Sequence, residues 1–260
     1  MLGTAIDAGA NHSVTNWLST GPNGGNGAFD ASVEGFSDDG TRSFFQTDEK
    51  MVAADTDDSI DIYERSGNTT TLISTGPNGG NGDFGADFFD ASKDGSRVAF
   101  ETNESLVAAD NDGGFRDVYE RANGVTSLVS FGPTAGGSPI DAFFLGMSQD
   151  GLHIYFMSYE PLVSADDDSG RRDVYERFNG TTSLVSTGPA TTNALVEATW
   201  GGATPGHAAM TYARDVRGLS WARSEGGTTE MHKLHEVRTN LVIIGPTKQE
   251  KGLSTAENAR

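Results

Sequence analysis

The sequence predicts an all-β protein that is built from tandem repeats of about 56 residues. The dipeptide Gly-Pro recurs with this spacing, at Gly21, Gly76, Gly132 and Gly188. The nine residues STGPNGGNG at 19–27 return unchanged at 74–82. No segment before residue 205 has the 3.6-residue hydrophobic period of an amphipathic helix. Self-similarity at a fixed period of this length is typical of repeat architectures, so one unit predicts the whole fold.

Each unit is expected to form four short strands. An Asp-Gly turn follows the first strand, and its two central residues are expected to need positive φ. The next three runs are represented in the first unit by RSFFQT, IYER and TTTLIS. Four antiparallel strands make one blade of a β-propeller. The predicted units span about 23–77, 78–133 and 134–189, with a partial unit at 190–205, which gives about three and a half blades per chain.

The turn of the S-x-D-G type, the V-x-F strand and the D-V-Y strand resemble the TolB-like (PD40) propeller repeats of exported bacterial proteins. The resemblance covers about residues 13–205. It implies a β-propeller fold and an extracellular or periplasmic location for the parent protein. The first residues, MLGTAIDAGANHSVTNWL, have neither a basic region nor a continuous apolar stretch, so no signal peptide is expected within this chain.

Composition excludes several classes of function. The formal net charge of -19 argues against nucleic acid as a partner, because a phosphate backbone would be repelled. The chain has no cysteine, which excludes disulfides and thiol chemistry. No apolar run approaches the roughly 20 residues that a membrane-spanning helix needs. These features fit a protein that meets cations or neutral ligands.

The C-terminal part, residues 206–260, differs from the repeats. It holds 8 of the 18 Lys and Arg but only 6 of the 37 Asp and Glu, and Gly206-His207 stands where the repeat has Asp-Gly. Two explanations are open: a divergent capping segment, or a truncated or frame-shifted gene end. The partial ring also leaves apolar blade faces and a sheet edge uncovered. We therefore expect a homo-oligomer, most simply a dimer that closes one ring by two-fold symmetry.

An acidic loop between the second and third strands is the first candidate site. Each loop supplies three carboxylates, at Asp55, Asp57 and Asp61, at Asp110, Asp112 and Asp117, and at Asp166, Asp168 and Asp173. Calcium takes six to eight oxygen ligands in irregular geometry, so such a loop with added backbone carbonyls suits it. The loops are not EF-hands, because Ser66, Arg121 and Arg177 occupy the twelfth positions. The alternative is a solvated loop whose acids cap turns and pair with nearby arginines, namely Arg65, Arg116 or Arg172.

A second set of acids lies at the start of the first strands, which are innermost in a propeller. These candidate catalytic residues are Asp30, Asp87, Asp141 and Glu197. Carboxylates from several blades can hold a metal that polarises a carbonyl or phosphoryl oxygen, with a further carboxylate as nucleophile or general base. The alternatives are that they satisfy backbone amides at the strand entry, or that they line a channel without chemistry.

Two classes of function follow. The first is a calcium-stabilised propeller module of an exported bacterial protein, used for binding or as a scaffold. The second is a metal-dependent hydrolase of esters, lactones or phosphotriesters, which would bind its small-molecule substrate at the channel. The first is favoured because every repeated feature has a structural use.

Overall fold

The computed structural model describes residues 16–167 and 170–186, together with the backbone of four short strands nearer the C-terminus. Residues 16–167 and 170–186 form three four-stranded antiparallel sheets, and these two ranges contain no helix. The all-β prediction and the prediction of four-stranded blades are therefore confirmed. About three blades lie within the described ranges, while residues 190–205, the predicted partial blade, fall outside them.

The strands follow one another in each sheet in chain order. Blade 1 contains β1 (Ala31–Phe36), β2 (Arg42–Thr47), β3 (Asp61–Ser66) and β4 (Thr69–Leu72). Blade 2 contains β5 (Ala86–Ala91), β6 (Arg97–Thr102), β7 (Asp117–Ala122) and β8 (Val125–Leu128). Blade 3 contains β9 (Ala142–Met147), β10 (His153–Ser158), β11 (Asp173–Phe178) and β12 (Thr181–Leu184). The short strands β13 (Ala209–Thr211) and β16 (Leu241–Ile243) pair with each other, as do β14 (Arg223–Glu225) and β15 (Thr228–Glu230).

The Asp-Gly turn differs from the tight turn expected from the sequence. Only the glycine has positive φ, for example 67° at Gly40, and the Gly40 amide donates to the Ser37 carbonyl. The Asp39 carboxylate accepts hydrogen bonds from the Ser37 hydroxyl and the Thr41 amide, which holds the aspartate outside the left-handed region. The turns with two positive φ values lie instead between the third and fourth strands, at Asn123-Gly124 and Asn179-Gly180.

The three Gly-Pro glycines that the structure describes, Gly21, Gly76 and Gly132, pack directly on the backbone of the loop between the second and third strands. A Cβ atom on Gly76 would lie 2.2 Å from the Leu106 carbonyl oxygen, so no other residue fits there. The glycine-rich segment that follows donates amides to one glutamate: the Gly25 and Gly27 amides each lie 2.8 Å from Glu49 Oε1. These contacts hold the Gly-Pro segment beside the acidic loop of the same blade.

The core lies between successive blades. Phe44, Ile62 and Ile73 of blade 1 form one cluster with Val98, Phe100 and other residues of blade 2. A second cluster joins blade 2 to blade 3 in the same way. The first strand of each later blade provides the contact, because β5 packs against blade 1 and β9 packs against blade 2. This stacking of twisted sheets is the packing of propeller blades.

Candidate metal centre

The acidic loops connect the second strand of each blade to the third. The first aspartate follows a turn in which its amide donates to the carbonyl three residues earlier, as Asp55 does to Val52 and Asp110 to Val107. The last aspartate begins the third strand, so the paired strands fix its position. Because both ends of the loop are anchored by regular structure, the carboxylates are drawn together although they repel one another.

In blade 1 the structure brings Asp55, Asp57 and Asp61 together. One carboxylate oxygen from each lies within 4.8 Å of the others. Asp55 Oδ2 accepts a hydrogen bond from the Tyr63 hydroxyl, and Asp61 Oδ1 accepts one from the Ser74 hydroxyl. The second oxygens, Asp55 Oδ1 and Asp61 Oδ2, are buried and have no hydrogen-bond partner among the described residues. An unpaired buried carboxylate oxygen is costly, so this pair of atoms indicates space for a positive ligand.

Blade 2 repeats the arrangement with Asp110, Asp112 and Asp117, which meet the same 4.8 Å criterion. Asp110 Oδ2 accepts from the Tyr119 hydroxyl, and Asp117 Oδ1 accepts from the Ser130 hydroxyl. Asp110 Oδ1 is buried without a hydrogen-bond partner in the described part of the chain. Two loops of different length thus bring the three corresponding aspartates together.

Blade 3 shares the two outer anchors of this site. The Tyr175 hydroxyl donates to Asp166 Oδ2, and the Ser186 hydroxyl donates to Asp173 Oδ1. Asp168, the middle carboxylate predicted for this loop, lies outside the described residues. The positions of the first and third aspartates are therefore the same in all three blades.

The electrostatics of the loops favour a cation. Burial raises the pKa of Asp61 to about 7, and the neighbouring Asp55 and Asp57 carboxylates add to the rise, while the Ser74 hydrogen bond opposes it. Burial likewise raises the pKa of Asp117 to about 8, again against the hydrogen bond from a serine. Burying several carboxylates together is unfavourable without a compensating positive charge. A divalent cation would supply that charge.

The tyrosines and serines that orient the acids were not identified from the sequence as parts of a site. Tyr63, Tyr119 and Tyr175 recur at the same position of the third strand, and all three are fully buried. Their hydroxyls, however, reach the first aspartate of each loop. The sequence does contain a signal for this contact, because a tyrosine recurs eight or nine residues after the first aspartate of each loop. A buried tyrosine hydroxyl needs a hydrogen-bond partner, and that aspartate is near in the chain.

Two of the three arginines that the alternative interpretation names, Arg65 and Arg116, have partners other than the loop aspartates. Arg65 donates to the Asn68 carbonyl and the Thr70 hydroxyl, and Arg116 pairs with Glu101 and Asp87. Neither of these two arginines contacts an aspartate of the described loop clusters.

The predicted channel acids occupy different surroundings. Asp30 is exposed immediately before β1. Asp87 is exposed on β5 and lies 3.3 Å from Arg116 Nη1, and Asp141 Oδ1 accepts from the Arg116 amide at 2.9 Å. Within the described residues these acids are not among the groups whose oxygens converge, and Glu197 lies outside those residues. Asp141 thus satisfies a backbone amide at the strand entry.

The same region contains a buried glutamate that sequence reasoning missed. Glu101 on β6 is 1% exposed and accepts hydrogen bonds from the Phe144 amide and from Arg116. Gln46 occupies the same position in blade 1, where it accepts from the Phe88 amide and donates to the Ala86 carbonyl. Both side chains therefore tie the second strand of one blade to the first strand of the next blade.

Comparison with known proteins adds little beyond the fold. No family model and no curated protein sequence matches the chain, so the resemblance to TolB-like repeats stays a prediction. In structure the chain is similar to a prolyl endopeptidase, with 14% sequence identity and a TM-score of 0.44. The similarity covers 84% of this chain and 30% of that enzyme. The chain therefore spans less than a third of the enzyme's length.

Proposed function

We propose that the chain is a calcium-binding β-propeller module, used for binding or as a scaffold, with ions held in its acidic loops. The observation that carries the proposal is the set of buried oxygens, Asp55 Oδ1, Asp61 Oδ2 and Asp110 Oδ1, which have no hydrogen-bond partner among the described residues. Calcium prefers such oxygens and completes its shell with carbonyl groups and water.

The role assigned to the ion is structural. It would join the two ends of a loop whose carboxylates otherwise repel, and it would also support the contact with the next blade. In blade 1 the Thr56 hydroxyl, within the loop, donates to Asn81 Oδ1 at 2.8 Å, and Asn81 belongs to the glycine-rich segment that leads into blade 2. The Ser59 hydroxyl donates to the Gly82 carbonyl at 3.2 Å. A loop ordered by calcium would therefore hold consecutive blades together.

Calcium titration of the purified protein, with the thermal midpoint and isothermal titration calorimetry as readouts, tests this proposal. At a free calcium concentration 100 times the Kd, each site should add about 2.7 kcal/mol to the free energy of unfolding. Asp57→Asn and Asp112→Asn should each reduce the stoichiometry by one, because these half-exposed carboxylates lie outside the buried tyrosine and serine contacts. Asp83→Asn, at an exposed position in a glycine-rich segment, is the matched control. Unchanged binding in both loop variants would reject the assignment.

The hydrolase alternative receives no such support. Asp141 and Asp87 already have partners on Arg116, and no described contact joins Asp30 to either of them. The discriminating experiment is turnover of chromogenic esters, lactones and phosphotriesters by the wild type and by Asp141→Asn. Chelator-sensitive turnover that Asp141→Asn abolishes would establish the alternative.

We also propose that the chain assembles with a second copy of itself. Val33 and Phe36 on β1 are 51% and 57% exposed, whereas the equivalent positions of β5 and β9 pack against a preceding blade. Exposed apolar faces of this kind favour association. Sedimentation velocity should show a concentration-dependent dimer that Val33→Asp weakens. A monomer at all concentrations would contradict the proposal.

We also propose an extracellular or periplasmic location for the parent protein. Extracellular calcium modules work at Kd values of about 10⁻⁴–10⁻³ M, which a site with three carboxylates and no bidentate glutamate at the end of the loop would suit. An extracellular or periplasmic parent protein is therefore part of the proposal. A Kd below about 10⁻⁶ M would instead point to a calcium sensor or buffer of the cell interior.

A further inference from the structure

The two complete acidic clusters are not equivalent, because one basic side chain lies beside only one of them. Lys50 precedes the blade 1 loop, and its Nζ lies 2.6 Å from Asp58 Oδ1. The corresponding residue before the blade 2 loop is Ser105, and before the blade 3 loop it is Pro161. Asp58 likewise has no acidic counterpart in blade 2, where Gly113 follows Asp112.

The ammonium group of Lys50 acts on the cluster itself and not only on Asp58. The hydrogen bond to Asp58 is the main cause that raises the pKa of Lys50, and the charges of Asp55 and Asp57 raise it further. A positive charge that is stabilised by two of the three candidate ligands must in turn repel a divalent cation at the same ligands. The effect is moderated by solvent, because the Lys50 and Asp58 side chains are 39% and 96% exposed.

The blade 2 loop differs from the blade 1 loop in its backbone conformation and in its length. Gly113 and Gly114 have φ values of 86° and 101°, and a Cβ atom on Gly113 would meet nothing within 4 Å. The loop is one residue longer than that of blade 1 between its first and last aspartates. Asp112 Oδ1 accepts a 3.3 Å hydrogen bond from the Phe115 amide, and Asp57 Oδ1 accepts one from the Ser59 amide at 2.6 Å.

We infer that Lys50 lowers the divalent-cation affinity of the blade 1 loop, an effect that the blade 2 loop lacks because Ser105 stands at the same position. This inference rests on the proposed calcium function and names a residue that tunes the blade 1 site.

The experiment is a calcium titration by calorimetry in a background that isolates the blade 1 loop, Asp112→Asn with Asp168→Asn. In this background Lys50→Ser should lower the Kd about fivefold. The matched control is Lys93→Ser, because Lys93 is also a partly exposed lysine paired with an aspartate, at 3.5 Å from Asp38, but it lies at an Asp-Gly turn. The control removes the same charge and should leave the Kd unchanged.

The reciprocal exchange keeps the test valid if the background variant does not fold. In the otherwise wild-type chain, Ser105→Lys should raise the Kd of one binding step, while Lys50→Ser should lower the Kd of another. Equal effects of Lys50→Ser and Lys93→Ser, or no effect of either exchange, would overturn the inference and leave the calcium proposal intact. Failure of the wild type to bind calcium at all would overturn both.

Discussion

The strands β1 and β5 occupy the same place in successive repeats, yet they have different surroundings. Both pair with the second strand of their blade in the same register, and both have an irregularity after the third residue. Ala86, the first residue of β5, is 4% exposed, whereas Ala31 at the start of β1 is exposed. The difference arises because β5 has a blade in front of it. The local sequence thus determines where the strand forms and how it pairs within its blade, whereas the neighbouring blade determines how far the strand is buried.

The contacts at this junction repeat from blade 2 to blade 3. The Ala86 amide donates to the Ile60 carbonyl at 2.9 Å, and the Ala142 amide donates to the Arg116 carbonyl at 2.7 Å. Phe88 stacks on Phe44 with 5.6 Å between the ring centroids. Each added blade therefore brings the same backbone contact, as nearest-neighbour models of repeat proteins assume. The aromatic contact differs, because Ala99 stands at the position of Phe44 in blade 2 and Phe144 lies against Phe89, with 5.3 Å between the ring centroids.

The largest expected effect is the loss of the aromatic contact between blades 1 and 2. Phe88→Ala should lower the free energy of unfolding by about 3 kcal/mol, because it removes a ring from the interface and leaves a cavity beside Phe44. Val33→Ala, at the same position of β1, should cost no more than about 0.5 kcal/mol at protein concentrations below those at which the proposed dimer forms. Urea denaturation measures both. Similar losses in the two variants would mean that β1 is also covered in solution, as in the proposed assembly.

An intermediate effect is expected at the polar ties between blades. Gln46→Ala should cost about 1–3 kcal/mol, because it leaves the Phe88 amide and the Ala86 carbonyl without their partner. Gln46→Glu keeps the acceptor for Phe88 and serves as the comparison with blade 2. The free energy of unfolding from urea titration distinguishes them, and equal stability of Gln46→Ala and the wild type would show that this tie contributes nothing.

Glu101 occupies in blade 2 the position that Gln46 has in blade 1, and its carboxyl group should make the stability of the protein depend on pH. Burial is the main cause that raises the pKa of Glu101 above its ordinary value of 4.5, against the hydrogen bonds from Phe144 and Arg116. A carboxyl group with a raised pKa in the folded state contributes stability below about pH 4.5 that is lost as the pH rises through the folded-state pKa. The stability of Glu101→Gln relative to the wild type should therefore increase between pH 4 and pH 8. A constant difference over this range would contradict the prediction.

The smallest effect on stability is expected at the Asp-Gly turns, and it should be the same in blades 1 and 2. Hydrogen bonds, first from Ser37 and Ser92, lower the pKa of Asp39 and of Asp94 to about 2. Asn replacements should therefore destabilise both blades slightly at neutral pH. The stability from the carboxylates is present above about pH 4 and is lost as the pH falls towards 2. Acid titration of thermal stability should show matching curves, and a clear difference between the variants would mean that this turn also depends on the neighbouring blade.

Some features of this protein are determined by the repeated local sequence, and others are determined only by the tertiary structure. The period of about 56 residues and the alternating apolar runs determined the four strands per blade, because strand formation depends on local pattern. The spacing of the aspartates determined that Asp55, Asp57 and Asp61 belong to one loop, and likewise their counterparts in blade 2. Three carboxylates within seven or eight residues of chain are close whatever the rest of the fold does.

Only the tertiary structure decided which atoms of those residues are free to bind a ligand. Tyr63 lies on the strand after its loop and Ser74 lies beyond the fourth strand, and each takes one oxygen of an aspartate while burial by the blade removes water from the other. The tie formed by Glu101 also depends on a partner more than 40 residues away, Phe144 in the next blade. Local pattern cannot predict burial and long-range partners, because both are produced by the packing of one blade on another.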